Sequence, residues 1–154
     1  MKCYNNVLIG NVYGCQLYSS YDCSLHGNLF LRNEIGLYYQ WAVLTDIYLN
    51  EFRNNTNGIY FDMDNHKLKV RENNFINNAV QAGFFFDESM LLIPDLILNR
   101  LIYGPQYRHN YWSDWESLQR RPIKGNVTLW IRGYYHEPIF TSSVIFDWHP
   151  AQKP

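Results

Sequence analysis

Asp62, Asp64 and Asp87 are the residues whose chemistry would be most direct. Grouped on one outer face, two of them could act as the acid and the nucleophile or base of a glycosidase, a pair that needs separations of roughly 5 to 9.5 Å. The same oxygens could hold Ca²⁺. The base that a lyase requires would have to come from Lys67, Lys69 or Arg71, which fit no recognisable arrangement, and a solvated acidic turn also accounts for the carboxylates. Five histidines, His26, His66, His109, His136 and His149, raise copper as a second chemistry. No two have the spacing HxH or HxxxH, and the soft Met and Cys ligands suited to Cu(I) are sparse, so a site would need His109, His136 and His149, with Asp147, to converge in space. A third chemistry is recognition of sugars by flat rings. Tyr38, Tyr60 and Phe85 are its candidates, with Gln40, Asp62 and Asp87 beside them as hydrogen-bonding groups.

Composition narrows the field. The 154 residues make one domain, 47% apolar but 18% aromatic, with 13 Tyr and 5 Trp, a high content of rings. A formal charge of -1 gives no electrostatic footprint for nucleic acid. No apolar run approaches the roughly 18 residues of a membrane helix, so no membrane insertion is expected. The start, MKCYNNVLIG, lacks the features of an export signal; either the protein stays inside or the chain has lost its beginning. Cys3, Cys15 and Cys23 are odd in number and match neither a zinc site nor a disulfide framework, so buried free thiols are expected. Asn54-Asn-Thr56 and Asn126-Val-Thr128 fit the glycan-acceptor pattern, but asparagine is common enough here for chance to explain them.

Whatever positions the candidates must obey a repeat. Asn-x-apolar-x-x-Asn occurs from Asn6, Asn28, Asn50 and Asn73, at intervals of 22, 22 and 23 residues, with a degenerate fifth copy from Asn99 after 26 more. Gly14, Gly36, Gly58 and Gly83 keep nearly the same beat, and Cys3, Leu25, Ile47, Val70 and Leu96 form an apolar column three residues before each lead asparagine. Each period holds three short strands separated by turns, which is the pattern of a parallel β-helix. Residues at one repeat position then stack at the interstrand distance of about 4.8 Å. Leu8, Phe30, Phe52, Phe75 and Leu101 are expected to fill the interior, each burial contributing roughly 1.5 to 3 kcal/mol. The asparagines are expected at sharp bends, in left-handed backbone, bonded to the amide of the adjacent coil. Alternation places Gln16, Tyr38, Tyr60 and Phe85 in one outward column.

The run Val70-Arg-Glu-Asn-Asn-Phe-Ile-Asn-Asn-Ala79, followed by His109-Asn-Tyr-Trp-Ser-Asp-Trp115, resembles the right-handed parallel β-helix repeats of NosD-type proteins and of the wider β-helix group of carbohydrate-binding proteins and sugar hydrolases. Phe146-Asp-Trp-His-Pro-Ala151 is similar to the closing segment of archaeal surface β-helix proteins. The resemblance implies an all-β, right-handed single-stranded solenoid of about five coils over residues 1–104. Residues 105–154, crowded with Tyr107, Tyr111, Trp112, Trp115, Trp130, Tyr134, Tyr135 and Trp148, would form an aromatic cap. It implies an extracellular, periplasmic or cell-surface place and a non-catalytic module that binds polysaccharide or a surface glycan, or acts as a spacer. A fragment of a lyase or glycosidase is the alternative, and an accessory role in copper-centre maturation a second. Relatives usually carry more coils after a signal peptide, so upstream coils or a partner chain would cover the open N-terminal end.

Overall fold

The structure, a computed structural model of the chain, describes residues 1–62, 67–88, 106–117, 119–129 and 139–154. The first coil consists of β1 (Lys2–Tyr4), β2 (Val7–Ile9) and β3 (Tyr13–Tyr18). The second holds β4 (Ser24–His26), β5 (Leu29–Leu31) and β6 (Ile35–Gln40), and the third β7 (Asp46–Tyr48), β8 (Glu51–Arg53) and β9 (Asn57–Asp62). Then come β10 (Lys69–Arg71), β11 (Asn74–Ile76) and β12 (Val80–Glu88), and finally β13 (Gln106–Arg108), β14 (Tyr111–Trp112) and β15 (Arg121–Leu129), with β16 (Ile139–Asp147) closing the chain. Equivalent strands pair in parallel from coil to coil, five deep on each of three faces. The chain is a parallel β-helix.

Short strands suffice because each contributes one or two inward side chains to a continuous column. Cys3, Leu25, Ile47, Val70 and Tyr107 share one register position. Phe30, Phe52, Phe75 and Trp112 share another, and their rings stack face to face with centroids 4.6, 5.0 and 4.2 Å apart. Leu37, Ile59, Leu17, Tyr39, Phe61 and Phe84 line the third face, and all are buried. Gly14 and Gly36 stand where the coils approach too closely for a side chain: a Cβ would lie 2.6 and 2.5 Å from the carbonyl oxygen of the next coil's glycine.

Buried amides bind the coils. The backbone N–H and Nδ2 of Asn28 both donate to Asn50 Oδ1, at 3.0 and 2.9 Å, and Asn50 repeats this to Asn73. A parallel ladder runs through Asn11, Asn33, Asn55 and Asn78 and ends where Asn78 Nδ2 donates to Gln81 Oε1. The left-handed backbone expected at these asparagines lies one residue earlier. Asn5, Arg32, Leu49, Asn54, Glu72, Asn77 and His109 have φ of 53 to 56°. The bend precedes the amide because it must aim that side chain inward, across the coil boundary.

Further expectations are corrected. The fifth ladder rung is Asn110, not Asn99: the N–H and Nδ2 of Asn73 both donate to Asn110 Oδ1. Trp112 and Tyr107 take the column positions expected of Leu101 and Leu96, which with Asn99 lie outside the described residues. The chain covers 37 residues between these rungs, so the rule of equal spacing fails while Asn-x-ring survives as Asn110-Tyr-Trp112. The coil stack therefore continues beyond Gly104. Gly83 is out of the glycine column as well. Gln81 stands opposite Gly58, and Gly83 lies opposite Tyr60.

The cap is a hairpin. β15 and β16 pair antiparallel, β15 extends the stack of long strands over β12, and β16 joins β13 through Tyr107 and Asp147. Two faces of the helix thereby become one 11-stranded sheet. Asp147 terminates the ladder: its Oδ2 accepts from the N–H and Nδ2 of Asn110 and from Trp112 Nε1. Arg121 lies over the Trp112 ring at 4.4 Å and pairs with Asp114. At the opposite end Val7, Ile9 and Val12 are exposed on the first coil.

One core position carries a penalty. Among the described residues the buried Tyr39 hydroxyl makes no well-formed hydrogen bond, its one polar neighbour being the equally buried Thr45 hydroxyl, and burial pushes the phenol up to about 12 against a smaller lowering by Thr45. Tyr39→Phe is expected to raise stability by about 1 kcal/mol at neutral pH, because an unsatisfied buried hydroxyl is removed. The raised phenol also makes the fold alkali-sensitive. Its contribution is full below the unfolded value of 10.0 and declines as pH rises toward about 12, since the unfolded chain releases the proton first. Urea midpoints at pH 8 and 11 check both effects. A loss of stability in Tyr39→Phe at pH 8 would show that the hydroxyl is partnered.

Candidate functional site

The outer face of the long strands brings together part of the expected sugar site. Tyr38 donates to Asp62 Oδ2 at 2.6 Å, Gln40 Nε2 donates to the same oxygen at 3.2 Å, and among the described residues the buried Asp62 Oδ1 has no partner. The Tyr38 phenol is pushed well above its ordinary value, first by burial and then by its bond to Asp62, and burial raises Tyr60 too. Tyr38 and Tyr60 stack 6.2 Å apart and nearly parallel, so they direct their faces at one another and present edges outward. Phe85 does not extend this pair. It stands opposite Asp62, because Gly83 takes the position beside Tyr60. Asp87 lies two residues past Phe85 along β12, out of register with Asp62, and Asp64 is outside the described residues.

A second outer surface, on the sheet of short strands, is better formed. One column reads Lys2, Ser24, Asp46, Lys69, Gln106 and its neighbour Tyr4, His26, Tyr48, Arg71, Arg108. His26 stacks between Tyr4 and Tyr48 at 5.2 and 4.9 Å, and the Arg71 guanidinium caps Tyr48 at 4.3 Å. Arg71 also donates to both oxygens of Asp46, from Nε at 3.2 Å and Nη2 at 2.9 Å, and this bond is the main reason that its pKa is raised. A forked pair of this kind fixes the carboxylate in direction as well as position.

The turns entering these strands use left-handed residues at equivalent positions, Asp22, Leu44 and Lys67, with φ of 52, 56 and 57°. Together they open a cavity of about 300 Å³ lined by Asp22, Leu44, Thr45, Asp46, Lys67, Lys69 and Gln106. The same corner carries exposed rings: Tyr18 and Trp41 meet at 5.8 Å, and Tyr21 is 68% exposed. The sequence contained a signal for this surface, since Asp46 and Lys69 immediately precede the inward Ile47 and Val70 and so had to point outward.

Comparison with known proteins adds the family. A family model described as "Periplasmic copper-binding protein (NosD)" matches residues 2–117. The chain belongs to the NosD family. Neither the comparison with curated proteins nor that with solved structures gave a match.

The family description makes copper the first metal to test against this NosD chain. His109 and His149 are neighbours, with ring centroids 5.9 Å apart and the His109 N–H donating to the His149 carbonyl. His26 is held in its ring stack, Cys3 Sγ donates to Asn28 Oδ1, and Cys23 Sγ donates to Tyr21 O. His66 and His136 lie outside the described residues. Among the described residues no three His, Cys, Asp or Glu side chains converge to hold an ion. Nor, among them, is any helix long and apolar enough to cross a membrane.

Proposed function

We propose that this NosD-family chain is a non-catalytic module of the periplasm or cell exterior that binds a saccharide at the corner of its coils. The observation that carries the reading is the cavity beside Asp46. Its lining offers acceptors (Asp22, Asp46), donors (Lys67, Lys69) and a group that does both (Gln106), set in a wall to which Leu44 and the stems of the polar side chains give a larger apolar share, while the Thr45 hydroxyl is turned inward. A sugar, which carries C–H faces between its hydroxyls, matches a wall of this mixed kind, with a few polar groups to fix its orientation. Asp46 is already oriented by Arg71, so little ordering is needed on binding. Trp41, Tyr18 and Tyr21 supply exposed rings on the same turns for the C–H faces of a sugar. The exposed first-coil edge is where the same reading seats a further coil or a partner chain.

A glycan array with the purified chain tests the proposal. Asp46→Ala combined with Gln106→Ala is expected to weaken binding of any retained glycan by about tenfold or more, the loss of one or two polar contacts. Alanine at Tyr38, Tyr60 and Phe85 together should leave it nearly unchanged. The reverse pattern would move the site to the long-strand face, and an array without binding would end the reading. A second reading, a part in copper handling, draws on the family description and the His109–His149 pair. Stoichiometric copper retained through gel filtration and lost in His149→Ala would favour it.

A further inference from the structure

The charges around the corner cavity are sorted along the helix axis. Successive coils place Asp22, Leu44 and Lys67 in one column, Asp46, Lys69 and Gln106 in the next, and Tyr48, Arg71 and Arg108 beside them. Within the cavity lining Asp22 and Asp46 therefore stand nearer the first coil than Lys67 and Lys69, while Lys2 lies beyond them on the first coil itself. Asp46 has its charge met by Arg71, which also reaches Glu72 at 3.3 Å. Among the described residues Lys67, Lys69 and Arg108 have no ion-pair partner. This cationic group is local, because the whole chain carries a formal charge of -1.

We infer that the cavity takes an acidic saccharide, a chain of uronic-acid units, with a sugar carboxylate against Lys67 and Lys69 and sugar hydroxyls against Asp46 and Gln106. The inference rests on the saccharide reading above and deepens it. Two cations without ion-pair partners among the described residues, side by side in a concave site, attract a carboxylate more strongly than a hydroxyl. The fixed Asp46 carboxylate meanwhile repels a second acid group and accepts from hydroxyls. The ligand is thus oriented, with its acid group on the cap side of Asp46. Arg108 lies at the edge of this side and would meet the next acidic unit along the chain.

The test is calorimetric titration of the full chain with hexamers of galacturonic, mannuronic and guluronic acid, each beside its carboxyl-reduced neutral counterpart. At least one acidic hexamer is expected to bind about tenfold more tightly than its neutral form at low salt. That preference should shrink when NaCl is raised from about 0.05 to about 0.5 M. Lys67→Ala with Lys69→Ala should abolish the preference, and Lys67→Arg with Lys69→Arg should keep it, both variants showing an unchanged β-sheet circular dichroism spectrum. Equal binding of acidic and neutral hexamers, or a preference that survives the double alanine change, overturns the inference and leaves the saccharide reading standing. If no hexamer of either kind binds, both fail.

Discussion

Asn50→Ala is expected to remove about 3 to 5 kcal/mol of stability, far more than an ordinary polar substitution. Asn50 is 1% exposed. Its Nδ2 donates to Leu25 O, Tyr48 O and Asn73 Oδ1, and its Oδ1 accepts from the N–H and Nδ2 of Asn28. Truncation orphans groups on three successive coils, and each buried group left unpaired costs about 1 to 3 kcal/mol. Relaxation and entering water recover part of that sum. Asn50→Asp should be no rescue, because an oxygen would replace the donor that faces two carbonyls. Asn6→Ala is the control: the same repeat position on the exposed first coil, where water replaces the lost partners, should cost below about 1 kcal/mol. Urea unfolding of the three variants measures the differences. Equal losses at Asn6 and Asn50 would mean that the amides act through local turns and not as a ladder.

Phe52→Ala is expected to cost a similar 3 to 5 kcal/mol, roughly the usual figure for emptying a buried aromatic site. Phe52 is fully buried between Phe30 and Phe75, with centroids 4.6 and 5.0 Å away. Its neighbours cannot close the gap, because their own height along the axis is fixed by strand pairing on both sides. Phe52→Leu, which refills most of the volume, should recover more than half of the loss. Thermal melts followed by circular dichroism provide the comparison. A Phe52→Ala loss below about 1 kcal/mol would mean that the ring is not part of a packed column.

The fold was legible wherever one residue type has one physical role. Asn-x-Phe repeats because an amide must bridge two coils and a large apolar side chain must fill the space between them, roles that Asn6 with Leu8 and Asn110 with Trp112 also fill. Where the chain departs from constant spacing, counting misled. The ladder skips Asn99 for Asn110, and Gly83 slips two places to face Tyr60, since hydrogen-bond register and not residue number decides who stacks on whom. The site was less legible for a related reason. Tyr38, Tyr60 and Phe85 drew notice as rings, yet the cavity is built from Asp46, Lys69 and Gln106, ordinary polar residues whose meaning depends on three coils lying side by side. Gln106 belongs to that column only because β13 pairs in register with β10. Nothing local in the sequence announces such a pairing.

The most direct measurement is a two-dimensional ¹H–¹⁵N NMR titration of the full chain with the tightest-binding hexasaccharide. The account predicts that amide shifts concentrate at Leu44, Thr45, Asp46, Lys67, Lys69 and Gln106, while Tyr38, Tyr60 and Phe85 stay still. Shifts centred on those three rings, or at the cap around Trp148, would contradict it.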